Sequence, residues 1–389
     1  MLIGIIGAPN KGKSTIFSAL TMAGAEIADY PFTTIKPNFG IAYATKKCVE
    51  GELGVKCKPR NGLCINGTRE VPINITDVAG LVPDAHLGKG MGNQFLSDLA
   101  GASAFIQVVD LSGKTDVHGN PAEGGDPALE VTAIKKEVAL WLAGIITKHK
   151  TALSKRSDGD RAIPELLSGF NLNDAQVRKA AEMSSLSTSQ ISWDEEETYE
   201  FADRLLDISK PTIIAANKLD LSDDGALDGL RKRLPGYTVI GCSGAVELAL
   251  RKAAASGVID YVPGAASFSI KKTVSGEQKK ALEYMAGFIS KNNGSGVQSI
   301  VNTVVFDVLK EIVVYPVEDE NKYTDHFGNV LPDALLVRKG TKAAELAELI
   351  HTDLAKSMLY AIDAKKKLRV AKDHALSDND VIKIVSAVR

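Results

Sequence analysis

The sequence predicts an α/β fold with a mainly parallel sheet, an inserted helical subdomain and a small α+β unit at the end. Short apolar runs at 2–6, 71–76 and 104–109, each followed by a glycine or a polar residue, are typical of buried parallel strands. Strand character returns at 211–216 after about a hundred residues, far more than an ordinary connection in such sheets. We therefore divide the chain into five parts. The α/β domain comprises 1–126 and 209–265, the inserted helical subdomain is 127–208, a connecting helical region is 266–311, and the α+β unit is 312–389.

Composition places the chain among ordinary globular proteins. Of its 389 residues 44% are hydrophobic and 24% are charged, and the formal net charge of −2 excludes a globally basic nucleic-acid coat or an acidic tail. Four cysteines are too few for a disulfide framework. With no signal-peptide pattern and no apolar run long enough to cross a bilayer, we expect a cytoplasmic protein.

The inserted region is predicted to be helical, because its apolar residues recur at helical spacing along 128–153. Ser192 followed by Glu195 is a capping-box signature and predicts the start of another helix. We assign Trp141 and Trp193 to packing between these helices.

The last part of the chain is predicted to be a connecting helical region and then the α+β unit. Strand-like runs at 313–317, 335–337 and 381–385 surround a helical stretch at 341–359. We expect Leu346, Leu349, Ile350 and Leu354 to form the apolar stripe of that helix.

Residues 7–14 fit the pattern G-x-x-x-x-G-K-[ST] at every fixed position, between a predicted strand and a predicted helix at 14–22. The glycines let backbone N–H groups wrap a phosphate, and the helix N-terminus adds a partial positive charge. Lys13 is expected to bridge the β- and γ-phosphates, and the Ser14 hydroxyl to bind Mg²⁺. The segment thus predicts nucleotide contacts from Gly7, Pro9, Asn10, Lys11, Gly12, Lys13, Ser14 and Thr15.

Asp77 ends a predicted strand and begins a D-x-x-G segment that closes at Gly80. We expect the Asp77 carboxylate to contact Mg²⁺ through water. The Gly80 N–H can approach a γ-phosphate because glycine has no Cβ in the way.

Asn217, Lys218 and Asp220 form an N-K-x-D segment after the strand at 211–216. A carboxylate accepts hydrogen bonds from both N1–H and N2–H of guanine, whereas adenine has no such donor pair. Asp220 therefore predicts selection of GTP over ATP.

Ser243 and Gly244 follow the next predicted strand, where a backbone N–H would face the guanine carbonyl. Their neighbours Cys242 and Ala245 are alternative alignments for the same role.

At this point the sequence resembles a known family. Residues 29–40 (DYPFTTIKPNFG), 77–83 (DVAGLVP) and 88–96 (GKGMGNQFL) are similar to the switch segments of Obg-type GTPases. Residues 339–341, 350–353 and 361–364 resemble a TGS domain, and the arrangement is similar to the YchF branch. The resemblance implies a P-loop NTPase with a Ras-like G domain, a helical insert and a ubiquitin-like TGS domain. It further implies a link to the ribosome or RNA.

Many members of that branch lack the lysine and aspartate of the base-reading motif and prefer ATP. This sequence keeps both residues, so we expect a GTPase that acts as a nucleotide-dependent switch. A nucleotide-sensing scaffold with incidental hydrolysis, and an ATPase, are the alternatives.

Hydrolysis is expected to be slow, because Leu81 occupies the position where Ras-like enzymes carry a water-orienting glutamine. Asn10 occupies a position that in similar GTPases helps to coordinate K⁺ and could instead only stabilise the loop. Thr34 is the predicted second Mg²⁺ ligand, with Thr33 as the runner-up. His86 and His118 are alternative candidates for orienting water, and each could equally be an ordinary surface residue.

Two further clusters have open interpretations. Cys48, Cys57 and Cys64 have spacings of nine and seven, unlike a zinc knuckle, and indicate a structural metal, a disulfide or small buried residues in a hairpin extension. The basic run at 365–372 indicates either a solvated face or contact with RNA. Nothing in the sequence requires a dimer, so we expect a monomer.

Overall fold

The computed structural model describes residues 1–21, 39–78, 80–81 and 100–387, and its contacts divide the chain into two compact units. The first contains the described residues within 1–22, 34–40 and 74–300. The second contains the described residues within 41–73 and 301–389. The predicted switch residues Thr33, Thr34 and His86 lie outside the described residues.

The strands begin and end close to the predicted positions where a prediction exists. In chain order they are β1 (Leu2–Ile6), β2 (Phe39–Lys47), β3 (Cys64–Ile65), β4 (Thr68–Asp77), β5 (Ala104–Asp110), β6 (Thr212–Asn217), β7 (Thr238–Gly241), β8 (Ile259–Asp260), β9 (Ser269–Ile270), β10 (Glu311–Pro316), β11 (Leu335–Arg338), β12 (Met358–Asp363), β13 (Leu368–Val370) and β14 (Asp380–Ser386).

The helices of the described residues are concentrated between β5 and β6. In chain order they are α1 (Lys13–Thr21), α2 (Glu50–Leu53), α3 (Pro127–Lys148), α4 (Lys150–Leu153), α5 (Gly159–Leu166), α6 (Asp174–Met183), α7 (Glu195–Ser209), α8 (Ala226–Arg233), α9 (Gly244–Ala255), α10 (Gly276–Asn292), α11 (Val297–Asn302), α12 (Ala343–Ile350) and α13 (Thr352–Ser357).

The first unit contains a parallel sheet in the order β4-β1-β5-β6-β7, to which β4 contributes its last residues. Registry pairs Ile5 with Asp77 and Asp110 with Asn217. Parallel strands bring their carboxyl ends to one edge, which is where α/β proteins bind ligands. The predicted P-loop, Asp77 and Asn217 therefore share one edge of the sheet.

Helices α3 to α7 form the insert and pack around a shared apolar core. The ring of Trp141 stacks on Phe170 at 5.6 Å between centroids, and Trp193 contacts Phe201 at 4.6 Å. The assignment of both tryptophans to helix packing is confirmed.

The capping box at the start of α7 lies two residues later than predicted. Asp194, not Ser192, accepts the hydrogen bond from the Glu197 N–H at 2.8 Å. The Glu197 side chain accepts from the Asp194 N–H in return. The sequence contains both signatures, and the aspartate is the one that caps.

The second unit contains a five-stranded sheet in the order β11-β10-β14-β12-β13. The predicted helix at 341–359 is two helices, because His351 between them is extended (φ −164°, ψ 134°). Leu346 is fully buried, whereas Leu349 and Ile350 are 64% and 39% exposed, so the predicted apolar stripe is wrong at both of these residues. The chain then forms β12, which the sequence pattern did not predict. None of the described helices is both long and apolar enough to cross a membrane.

Candidate nucleotide-binding site

Two glycines of the P-loop are required by their surroundings. Gly7 has φ +143°, and a Cβ there would lie 2.5 Å from the carbonyl oxygen of Val108. Gly12 has φ +90°, and a Cβ there would lie 2.3 Å from the Asn217 amide nitrogen. Both positions combine a conformation that L-residues rarely adopt with a close backbone or side-chain approach. The loop thus holds its shape through contacts with β5 and the base-reading segment.

The P-loop lysine and serine, Lys13 and Ser14, are the first two residues of α1. Lys13 Nζ donates to the Ala8 carbonyl at 2.9 Å. Burial lowers the pKa of Lys13, and the charge of Asp77 opposes this effect. Thr15 follows in the first turn of α1 and is half-buried.

Ser14 and Asp77 form the arrangement that a hard cation requires. Ser14 Oγ donates to Asp77 Oδ2 at 2.8 Å. The other carboxylate oxygen, Asp77 Oδ1, is buried and has no hydrogen-bond partner among the described residues. Mg²⁺ prefers hydroxyl, carboxylate and water oxygens. This donor set beside the P-loop fits the ion.

Lys11 does not direct its side chain to the phosphate position. Its fully buried Nζ contacts Glu130 Oε1 at 2.5 Å, Thr115 Oγ1 at 2.6 Å and the Asp116 carbonyl at 2.7 Å. Burial raises the pKa of Glu130 to about 7 despite the opposing charge of Lys11. The side chain therefore ties the P-loop to α3 and to the loop after β5, which the sequence did not indicate.

Asp110, at the end of β5, extends this network to the base-reading segment. Its Oδ2 accepts from Thr115 Oγ1 at 2.6 Å and from Lys218 Nζ at 2.8 Å. Burial alone would raise the pKa of Asp110, but hydrogen bonds from Lys218, Ser112 and Thr115 outweigh it and lower that pKa. An acidic residue at a strand end is the only sequence signal that pointed to this position.

Asn217 connects three parts of the site. Its Nδ2 donates to the Lys11 carbonyl at 2.8 Å, and its Oδ1 accepts from the Gly244 N–H at 2.9 Å. Lys218 adopts the left-handed conformation (φ 62°), and the following turn, Leu219–Leu221, contains the half-buried Asp220. The phosphate loop and the base-reading segment are thus joined through one amide side chain.

The predicted guanine-facing N–H groups at Ser243 and Gly244 are both occupied. Ser243 N–H donates to the Ser295 carbonyl at 2.9 Å, and Gly244 N–H donates to Asn217. The next N–H, that of Ala245 in the first turn of α9, has no acceptor among the described residues. The alternative alignment at Ala245 is therefore the one with a free donor.

Gly80 and Leu81 lie against the P-loop. A Cβ at Gly80 would lie 3.0 Å from the Pro9 ring, so glycine permits this approach. Leu81 N–H donates to the Gly7 carbonyl at 3.1 Å. The Leu81 side chain is only 4% exposed and belongs to an apolar cluster with Ile6, so it does not face the phosphates.

The loop after β5 contains His118, and the next residue, Gly119, contacts the P-loop. Asn10 Nδ2 donates to the Gly119 carbonyl at 2.9 Å, and a Cβ at Gly119 would lie 2.3 Å from the Pro9 carbonyl. His118 itself is exposed, and Asp116 Oδ1 accepts its backbone N–H at 2.9 Å. Asn10 thus makes a bond between two loops and keeps its Oδ1 available.

Most of the basic run in the second unit has partners within the chain. Lys365 pairs with Glu52, Lys366 with Asp363, and Arg369 lies 3.7 Å from the ring centroid of Tyr360. These contacts favour the interpretation of this run as a solvated, internally paired face.

Three family models match successive parts of the chain. They are a "50S ribosome-binding GTPase" model at residues 2–150, an "Obg-like GTPase YGR210-like, G4 motif-containing domain" model at 215–319 and a TGS domain model at 327–386. They follow the order of the P-loop, the base-reading motif and the sheet of the second unit.

Individual relatives agree with these models. The chain is 48% identical to the GTP-binding protein MJ1332 of Methanocaldococcus jannaschii over 393 residues, with all of both chains covered. It resembles the crystal structure of a GTP-binding protein from Pyrococcus horikoshii at 37% identity and a TM-score of 0.78, again over all of both chains. It is 35% identical over 154 residues to the "Ribosome-binding ATPase YchF" of Bacillus subtilis, covering 39% of each chain.

The P-loop, the D-x-x-G segment and the N-K-x-D segment on one sheet edge define the G domain of a P-loop GTPase, and the model matched at 327–386 adds a TGS domain. The relatives and models make this more specific. The chain belongs to the YchF branch of the Obg-type GTPases.

Proposed function

We propose that this protein is a switch that binds GTP, hydrolyses it slowly to GDP and phosphate, and couples its nucleotide state to the ribosome. The observation that carries this proposal is the double contact of Asn217, which holds the P-loop carbonyl of Lys11 and the N–H of Gly244. One residue thereby sets the distance between the phosphate loop and the base-reading loops.

In this proposal guanine is read by two groups of opposite hydrogen-bonding character. The Asp220 carboxylate accepts from N1–H and N2–H, and the Ala245 N–H, which has no acceptor among the described residues, donates to the guanine carbonyl. Adenine carries an amino group where guanine has its carbonyl, so both contacts favour GTP. Ser243 and Gly244 then shape the loop rather than donate to the base.

Ser14 and Asp77, together with Thr34, would hold Mg²⁺, with Asp77 acting through water. The orphaned Asp77 Oδ1 supports this assignment. When bound, Mg²⁺ supplies charge neutralisation at the β- and γ-phosphates. Lys13 would exchange its contact with Ala8 for a phosphate oxygen, because that carbonyl is the only acceptor of its ammonium group among the described residues.

Slow turnover follows from the position of Leu81, whose buried side chain cannot orient a water molecule. Two other groups are available for this work. His118 is exposed on a loop whose next residue, Gly119, is hydrogen-bonded to Asn10. The Oδ1 of Asn10, which has no hydrogen-bond partner among the described residues, is suited to K⁺, which would supply positive charge beside the phosphates.

The coupling to the ribosome is supported by the name of the Bacillus subtilis relative and by the TGS domain model. Lys365 and Lys366 are already paired with Glu52 and Asp363, so an RNA contact made by these two lysines should depend only weakly on salt. Co-sedimentation with ribosomes in the presence of a GTP analogue, GDP or no nucleotide tests the switch. Equal binding in all three states would contradict it.

Base selectivity provides the sharpest test of the site. The Asp220→Asn variant replaces an acceptor by a donor, so GTP affinity should fall by about 100-fold and XTP, which has a carbonyl at C2, should bind better than GTP. Asp224→Asn is the matched control, because Asp224 is 96% exposed and pairs only with Lys291 among the described residues. Displacement of a fluorescent nucleotide analogue by GTP or XTP measures both affinities for the wild type and for each variant. Unchanged GTP preference in Asp220→Asn would overturn the guanine assignment.

A further inference from the structure

Three of the four cysteines converge in the second unit. Cys48 follows β2, Cys57 follows α2, and Cys64 begins β3. The sulfur atoms and one carboxylate oxygen of Glu50 all lie within 4.8 Å of one another. The β3–β4 hairpin returns Cys64 to the end of β2, which explains why linear spacings of nine and seven did not reveal the cluster.

The size of this cluster matches a single metal ion. Zinc–sulfur bonds of about 2.3 Å place the sulfurs of a tetrahedral site about 3.8 Å apart. Ligand atoms already within 4.8 Å reach that spacing by small side-chain rotations. All three cysteines are free, and three thiols cannot pair completely as disulfides.

A buried cation lies against the cluster. Arg69 is fully buried, and its guanidinium donates to Cys57 Sγ at 2.8 Å and to the carbonyls of Leu331 and Pro332 at 3.2 Å. Among the described residues, its Nε has no hydrogen-bond partner, and the contacts of its guanidinium are to a sulfur and two carbonyls rather than to a carboxylate. A buried guanidinium without a direct carboxylate partner is costly, and a metal-bound set of cysteine and Glu50 ligands would place negative charge beside it.

Two of the proposed ligands are buried in apolar surroundings, whereas Cys64 and Glu50 are only half-buried. Cys48 and Cys57 are 3% and 9% exposed and belong to an apolar cluster with Tyr315. The hydroxyl of the fully buried Tyr315 also has no hydrogen-bond partner among the described residues. Glu50 Oε2 accepts from the Cys57 N–H at 2.7 Å, which leaves its other oxygen as a potential ligand.

We propose that Cys48, Cys57, Cys64 and Glu50 bind one zinc ion as a closed structural site. Three thiolates select a soft ion such as zinc over Mg²⁺ or Ca²⁺. Four protein ligands leave no open position for catalysis. Zinc binding displaces the thiol protons to solvent, and three thiolates with one carboxylate leave the site with a charge of −2, which Arg69 partly neutralises.

The role of this ion is to hold a segment that has little regular structure of its own. Between Cys48 and Gly67 the chain forms only the four-residue α2 and the two-residue β3. Its other ties to the second unit include two backbone hydrogen bonds, from Lys58 N–H to the Val330 carbonyl and from Arg60 N–H to the Pro332 carbonyl, both at 2.9 Å. A metal bound at three positions of the segment supplies the constraint that secondary structure does not.

Metal analysis of the full-length protein tests the proposal. Protein purified under reducing conditions without chelator should contain about one zinc ion per chain. The Cys57→Ser and Cys64→Ser variants should each lose at least about 90% of the metal, because structural sites need their full ligand set. Cys242→Ser is the matched control: Cys242 is also buried and free but lies outside the cluster, and this variant should keep its zinc.

Cobalt substitution of the wild-type chain keeps the test valid if the serine variants do not fold. Co²⁺ in the site should give the charge-transfer and ligand-field bands of a tetrahedral cobalt–thiolate centre, and Glu50→Gln should shift them. Absence of zinc in protein incubated with the ion under reducing conditions would overturn the proposal. A cobalt spectrum without thiolate bands, or equal zinc loss in Cys242→Ser, would do the same.

Discussion

Two buried cations of this chain, Lys11 and Arg69, contact different kinds of acceptor. Lys11 in the first unit contacts the carboxylate of Glu130, which in turn accepts from the Asp110 N–H at 3.2 Å. Arg69 in the second unit contacts a sulfur and two carbonyls and has no carboxylate partner among the described residues. The chain balances the first charge with its own acidic residue, and we infer that a metal–thiolate centre balances the second. A buried cation that contacts no carboxylate thus indicates a neighbouring anionic centre, even where no sequence motif predicts one.

The largest effect should come from removing the proposed metal. A chelator strong enough to strip zinc from the full-length chain should lower the free energy of unfolding of the second unit by at least about 3 kcal/mol, because metal binding and folding are coupled. Hydrogen exchange should rise in segment 48–67 and remain unchanged in the P-loop. Equal hydrogen exchange in segment 48–67 before and after chelation would contradict the proposal that a metal ion holds this segment.

The Lys11→Met variant tests the first cation. At pH 8 it should lower the free energy of unfolding by about 3–5 kcal/mol, because the carboxylate of Glu130 stays buried without its partner. Lys135→Met is the matched control on the same helix as Glu130, since Lys135 pairs with two partly exposed carboxylates, Asp203 and Asp207. Its loss should cost less than about 1 kcal/mol. Chemical denaturation without nucleotide measures both variants.

The Arg69→Met variant distinguishes zinc-bound thiolates from neutral thiols beside Arg69. If the sulfurs are thiolates bound to zinc, loss of Arg69 removes a charge-assisted hydrogen bond and should destabilise the second unit by about 1.5–3 kcal/mol and weaken zinc binding. If they are neutral thiols, the variant removes an unpaired buried cation and should stabilise the protein. Denaturation and zinc competition distinguish the two directions.

The pH dependence of the Lys11→Met effect should be the smallest of these changes. Because burial raises the pKa of Glu130 from 4.5 to about 7, the folded state keeps a proton that the unfolded state has lost. The stability that this group contributes is complete below about pH 4.5 and falls as the pH rises toward 7. Loss of Lys11 raises that pKa further, so the destabilisation should be constant below about pH 6 and should grow as the pH rises above 7, by about 1.4 kcal/mol per unit of added shift. A pH-independent difference would contradict the buried ion pair.

Much of the first unit could be predicted from the sequence, because its signals are local. The strand at 2–6 is confirmed residue for residue, and the pattern at 7–14 specifies its own loop geometry. The destination of the Lys11 side chain could not be predicted, since Glu130 is distant in sequence and a P-loop lysine is expected to face phosphates. The choice among Ser243, Gly244 and Ala245 depends on which N–H groups other segments occupy.

The second unit was harder to predict because its contacts are remote in sequence. The region 41–73 packs with residues after 300, and no periodicity in either segment indicates this. The helical periodicity at 341–359 continues past the extended His351, so it predicted neither the break between α12 and α13 nor β12. Glu50 was missed as a ligand because a single carboxylate two residues after a cysteine matches no metal motif.

Anomalous diffraction at the zinc absorption edge tests the central claim most directly. In crystals of the reduced, full-length protein grown without chelator, the account predicts a peak about 2.3 Å from the sulfur atoms of Cys48, Cys57 and Cys64. Arg69 should then lie against an occupied anionic centre. A map without a peak at this position, or with two of these sulfurs joined in a disulfide, would contradict the account.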